Sequence, residues 1–250
     1  MREIDYEASR VDGVLRVRRP GTEWLSTGWN GGRRESECVY NVSVPEGWTS
    51  DEIGEYVSDR LERAGFDADG PVLLTGVDLE HARGARCGPV TAYATAGVSN
   101  PAGLPMDPPG GELPNWDRTD GEPVGTVNLI VGTTRALGDG ALANLLTVAA
   151  EAKATTLLAE TGFPGTTTDA VVAGHDPDGP LEEFSGSATP VGAATRACVR
   201  EALRAALASR YAETETAVPD SVSAATYGVS TDVRAEVFCP EREREGRVER

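Results

Sequence analysis

The chain has 250 residues, 39% hydrophobic and 25% charged, which is the make-up of a globular protein with a buried core rather than a disordered or fibrous one. Forty acidic residues against twenty-three basic ones leave a formal charge of −17. That argues against a nucleic-acid partner, because holding a phosphate backbone takes a basic surface.

No apolar run approaches the roughly eighteen residues of a membrane span, so no membrane partner is expected. The start, Met1-Arg2-Glu3-Ile4-Asp5, has no apolar signal core, and a cytoplasmic location is expected. Lys153 is the only Lys, every other basic residue is Arg, and Gln is absent. An acid-rich, Lys-poor surface suits a halophilic cytoplasm, where charge keeps the chain soluble and salt screens its self-repulsion. Most carboxylates then serve solvation, and the lone Lys stands out. Cys38, Cys87, Cys198 and Cys239 are scattered without a CxxC pair, so neither a disulfide nor a zinc framework is indicated.

In chain order, residues 14–18, 23–27 and 38–44 alternate as strands, with Asn30-Gly31-Gly32 as a tight turn between the last two. Thr49 or Ser50 caps a helix to about Ala64, ended by Gly65. Residues 72–75 and 90–96 read as strands, with a short helical stretch at 79–83 between them. Residues 101–123 hold six Pro and four Gly, the composition of a long loop or lid. A strand at 125–131, a helix at 139–160, a β-like run at 166–173 and a helix at 191–212 follow, and 241–250 forms a charged, flexible tail. This order predicts an α+β (mixed α/β) fold, with a mixed or largely antiparallel sheet packed by helices. Residues 1–240 are expected to form a single domain.

Four segments carry a resemblance. They are Ala94-Thr95-Ala96-Gly97-Val98-Ser99-Asn100, Gly125-Thr126-Val127-Asn128-Leu129-Ile130-Val131, Gly138-Asp139-Gly140-Ala141-Leu142-Ala143-Asn144 running on to Glu151-Ala152-Lys153, and Gly165-Thr166-Thr167-Thr168-Asp169-Ala170-Val171-Val172. In order and spacing they resemble the adenosylcobinamide amidohydrolase family of cobamide salvage. The chain departs from the family pattern at residues 133–137 and at Thr167, where Gly is expected, and the Pro-rich loop looks like an insertion.

The resemblance implies hydrolysis of the amide joining the corrin side chain to aminopropanol in adenosylcobinamide. It also implies that the cobalt corrinoid is the substrate and that the enzyme has no cofactor of its own. A homo-oligomer stays open. The element order is also similar to autoprocessing aminopeptidases of the sandwich type. No processing site is evident, so only an αββα-type sandwich carries over from that likeness.

Amide hydrolysis needs a nucleophile, an oxyanion site and a proton for the leaving amine. The only His residues, His81 and His175, lie in turn-like sequence and read as surface or loop residues, which argues against a Ser-His-Asp triad. No metal site is indicated. On the 139–160 helix, Asn144, Thr147, Glu151 and Thr155 share one stripe, and Lys153 lies nearly opposite. The helix reads as apolar nearly all round and hence buried.

Buried Glu151 as general base and Lys153 as donor to a carboxamide or tuner of the nucleophile form the functional reading. Structural ion pairs are the alternative. Asn128 in a strand runs against β propensity and suggests a polar task. Asp169 would orient a donor, making the catalytic set Glu151, Lys153, Asp169 and Asn128. Substrate-binding candidates are Asn30, Gly31, Ser99, Asn100, Thr126, Asn144, Thr166 and Thr168. Trp24, Trp29 and Trp48 read as core or rim, and Trp116, in the loop, as a corrin contact.

Overall fold

The computed structural model of the protein describes residues 5–45, 48, 52–66, 69–113, 126–212 and 217–240. The first part of the chain forms β1 (Glu7–Val11), β2 (Val14–Arg18), β3 (Glu23–Ser26), β4 (Gly32–Glu35), β5 (Cys38–Ser43), α1 (Ile53–Arg63) and β6 (Val72–Thr75). A 3-10 turn at Leu79–His81 leads into β7 (Arg83–Cys87), β8 (Val90–Ala96) and the short β9 (Ala102–Gly103). The remainder forms β10 (Val127–Thr133), β11 (Ala136–Leu137), α2 (Asp139–Thr161), β12 (Ala170–His175), β13 (Leu181–Glu182), α3 (Pro190–Ala212) and β14 (Val229–Ser230).

Among the described residues, β1-β2-β5-β6 make one sheet and β4-β3-β12-β10-β8-β7 a second. Each is mixed. β5 with β6 and β10 with β12 run parallel, and the other neighbours run antiparallel.

The period of two sorts the side chains into layers. Along β10, Val127, Leu129 and Val131 join the core under α2 and α3, whereas Ile130 joins the core between the sheets. Along β2, Leu15 and Val17 face the second sheet and Val14 turns toward α1. The layers are therefore α1, sheet, sheet, and α2 with α3, an α+β fold of the αββα form.

Glycines admit the largest rings between the sheets. A Cβ on Gly132 would sit 2.4 Å from the Tyr6 ring, and one on Gly174 2.4 Å from the Trp24 ring. These rings meet edge to face at 5.6 Å, and the Tyr6 hydroxyl donates to the Thr133 carbonyl at 3.0 Å.

Several sequence expectations change. The 166–173 run is not all strand: β12 starts at Ala170, because Asp169 draws the amide and hydroxyl of Thr166 into a turn. The Arg-rich stretch after His81 is an edge strand, β7, whose only sheet partner among the described residues is β8. Its side chains stay largely in water, which a burial-based pattern does not register.

His81 and His175 are buried rather than surface residues, at 3% and 4% exposure. The Nδ1 of His175 accepts the Leu137 amide at 3.0 Å, so Nε2 carries the hydrogen and donates to Glu23 at 3.0 Å. The expected caps Thr49 and Ser50, the loop residues 114–123 with Trp116, and the 241–250 tail lie outside the described residues.

Candidate functional site

Strand register brings the 94–100, 125–131 and 165–172 segments to one end of the six-stranded sheet. β8 leaves there at Ala96 opposite Val127, β10 enters there with Asn128 opposite Ala170, and β12 enters beside it. Asp169 directly precedes β12, and alternation with Val171 places it on the helix side, where α2 delivers Lys153. The two side chains form an ion pair and are only 10% and 12% exposed.

Asp169 Oδ1 also accepts the Val127 amide at 2.9 Å and the Thr166 hydroxyl, while Oδ2 accepts the Thr166 amide at 3.1 Å. Four donors fill the lone-pair positions of a carboxylate. Asp169 therefore has no free direction for a substrate proton and acts as the anchor of Lys153. An ammonium carries three N–H donors, and the pair with Asp169 uses one of them. Gly165 makes room for this arrangement: a Cβ there would lie 2.8 Å from Asp169 Oδ2 and 3.5 Å from Lys153 Nζ.

The loop leaving β8 lies against this turn. The Thr167 amide donates to the Asn100 carbonyl at 3.2 Å, and the Ala102 amide to the Gly165 carbonyl at 3.0 Å. Asn100, fully buried, donates through Nδ2 to the Thr167 hydroxyl at 2.6 Å. Its Oδ1 has no partner among the described residues. Thr126 donates to the Thr168 carbonyl at 2.5 Å, so it ties the entry of β10 to the same turn. Ser99 is half-buried and Thr168 exposed.

On the opposite face of β10, Asn128 enters the space between the sheets. Its Nδ2 donates to the Leu74 carbonyl at 2.8 Å and to Asn41 Oδ1 at 2.9 Å, and Asn41 Nδ2 donates to Thr95 at 3.0 Å. The Leu74 carbonyl fixes which way both amides point, since it can only accept. Asn41, Thr95 and Asn128 are each at most 2% exposed. Sequence reading missed Asn41. Its one signal was the same as for Asn128, an amide in the middle of a strand pattern.

The remaining candidates lie elsewhere. Glu151 is exposed, with its side chain at 57%, and pairs with Arg196 at 3.5 Å, so the expected buried base is absent. The whole stripe of Asn144, Thr147, Glu151 and Thr155 faces solvent. The Ala residues between these positions made the helix look apolar all round, yet Ala tolerates water and helix alike. Asn144 donates to Ser185 at 3.0 Å and lines an open cavity of about 630 Å³ at the start of α2, near Asp139, Phe184 and Thr189.

Asn30 is exposed in the β3–β4 turn with a left-handed φ of 49°. Gly31 is confined there, its Cβ position being 2.4 Å from the Ser26 carbonyl oxygen. Trp24 is core, Trp48 packs on Tyr56 and Trp29 is exposed beside Gly54. Among the described residues no cluster of three His, Cys, Asp or Glu could hold a metal, and no helix is long and apolar enough to cross a membrane.

A family model described as adenosylcobinamide amidohydrolase matches residues 2–215. A Halobacterium salinarum protein named adenosylcobinamide amidohydrolase is 61% identical over 94% of this chain and 100% of its own length. One of the same name from Methanosarcina mazei is 30% identical over 75% of this chain and 91% of its own. The solved PH0078 protein of Pyrococcus horikoshii covers 80% of this chain and 78% of its own, at 14% identity and a TM-score of 0.43. The protein is thus a hydrolase of the amide-cleaving class. The chain belongs to the adenosylcobinamide amidohydrolase family.

Proposed function

We propose that the protein hydrolyses the amide between the corrin side chain and aminopropanol in adenosylcobinamide, for cobinamide salvage into coenzyme B12. Water supplies OH to the carbonyl carbon and H to the nitrogen. The C–N bond breaks, and adenosylcobyric acid and (R)-1-amino-2-propanol leave. The cobalt corrinoid is substrate, and the enzyme brings no cofactor of its own.

The observation that carries this reading is the convergence of the 94–100, 125–131 and 165–172 segments on Lys153. This ammonium is held by a saturated carboxylate and keeps N–H donors for an amide carbonyl whose oxygen gains charge during attack. Anchoring by Asp169 fixes the cation before substrate arrives, so no reorganisation is needed at the transition state. Asn100, Ser99, Thr166 and Thr168 supply polar groups around the same turn. Asn128 lies one residue beyond Val127, whose amide Asp169 holds, and its amide faces the inter-sheet side.

The test is to incubate the protein with adenosylcobinamide in molar KCl and follow products by mass spectrometry. Adenosylcobyric acid with stoichiometric aminopropanol is expected. Intact substrate recovered from folded protein would instead indicate a corrinoid-binding protein, and cleavage of short peptides a peptidase-like hydrolase.

A further inference from the structure

We infer that the segment 217–240 is a strap outside the substrate site that positions the Asn100–Gly103 loop of that site through backbone hydrogen bonds. It rests on the proposed reading of the site. The family model matches residues 2–215, and the strap follows that stretch. After α3 the chain returns with Val218 and Val222 packed on the core beneath α2 and α3. It then runs parallel to the loop as β14 beside β9. The Val229 amide donates to the Pro101 carbonyl at 2.9 Å, and the Thr231 amide to the Gly103 carbonyl at 3.0 Å. Further on, Arg234 reaches Asp107 at 2.7 Å and the Pro108 carbonyl at 2.5 Å.

The loop is thus the middle rung of a ladder. On one side it bonds the strap. On the other, Ala102 donates to Gly165 and Thr167 donates to Asn100, within the turn whose Asp169, itself bonded by Thr166, pairs with Lys153. Gly103 lets the strap come this close, since a Cβ there would meet the Val222 side chain at 2.9 Å. Asn100, whose buried Oδ1 has no partner among the described residues, takes its position from the same loop. Val229, Thr231 and Arg234 touch neither Lys153 nor Asp169 and act as positioning residues.

The experiment compares wild type with the double variant Val229→Pro, Thr231→Pro, which deletes both strap donors, and with Val229→Ala, Thr231→Ala, which keeps them. Displacing a positioning element by about 1 Å can cost up to roughly a hundredfold in rate. The Pro variant should lose about tenfold or more in kcat/KM for adenosylcobinamide. Amide exchange at Ala102 and Thr167 should quicken, the melting temperature should stay near wild type, and the Ala variant should match wild type in kinetics.

Unchanged exchange at Ala102 and Thr167, or quickened exchange with unchanged kinetics, overturns the inference. Should wild type bind adenosylcobinamide without cleaving it, the hydrolase reading of this substrate fails alone. The strap is then judged by the same variants' affinity. A wild-type chain that neither cleaves nor binds it overturns both.

Discussion

The two ends of α2 carry opposite kinds of polar group. Toward its C-terminal half, Lys153 is nearly buried and tied to a carboxylate that also holds three backbone or hydroxyl donors. At its start, Asn144 is exposed and Asp139 pairs with Arg33 beside an open cavity. The open cavity is at one end, but the organised charge is at the other. A buried ion is costly unless fully paired, so a site that keeps one points to chemistry more strongly than open space does. Asn144 and Lys153 are nine helical positions apart, roughly 13 Å along the axis, so one small reacting group cannot engage both.

The sharpest break of this comparison is in turnover. Lys153→Met should lower kcat for adenosylcobinamide by about 10²- to 10³-fold, while Asn144→Ala stays within about twofold. The reverse pattern would move the centre to the cavity. Next is stability. Asp169→Ala leaves Lys153 buried and uncompensated, and should cost about 3–5 kcal/mol in denaturant unfolding. Glu151→Gln, which removes only an exposed pair, should change it by less than about 0.5 kcal/mol.

The inter-sheet amides give a third test. Asn41→Leu or Asn128→Leu alone strands a buried partner and should cost about 1–3 kcal/mol each, whereas the double Leu variant should cost less than their sum. Strict additivity would show that the two amides do not act as one network.

The smallest effect concerns Cys198, whose thiol is pushed up to about 11 by burial. Because the fold holds its proton more tightly than the unfolded chain, this contribution is whole below pH 9 and fades as pH rises through about 11. A stability profile from pH 8 to pH 11 should therefore fall less steeply in Cys198→Ala than in wild type. Equal slopes would exclude a contribution from this thiol.

The strongly alternating strands and both long helices were legible because their burial is one-sided or continuous. β2, β6 and β8 begin and end where their apolar pattern does. β1, β4 and β7 were not legible, since edge strands with exposed side chains such as Arg33 and Arg86 leave no apolar period. At the site, Lys153 stood out because the rest of the chain avoids Lys, and Asp169 because it follows a hydroxyl-rich turn. Sequence spacing could not show that Asp169 is the partner of Lys153, because α2 must cross back over the sheet to bring them together. Glu151 misled because the Ala-rich helix read as apolar all round, although only two positions separate it from Lys153. On a helix that is about 200° of rotation, enough to turn one side chain to solvent and the other to the core.

The β9–β14 ladder also bears on synthesis. A ribosome releases chain from the N-terminus onward, so the sheet strands and the Lys153 helix emerge well before residues 229–231. Until those arrive, the carbonyls of Pro101 and Gly103 lack the amides that later cover them. The nascent protein can thus have its layers in place while this loop still faces water. Its outer wall is among the last described parts of the molecule to be laid down.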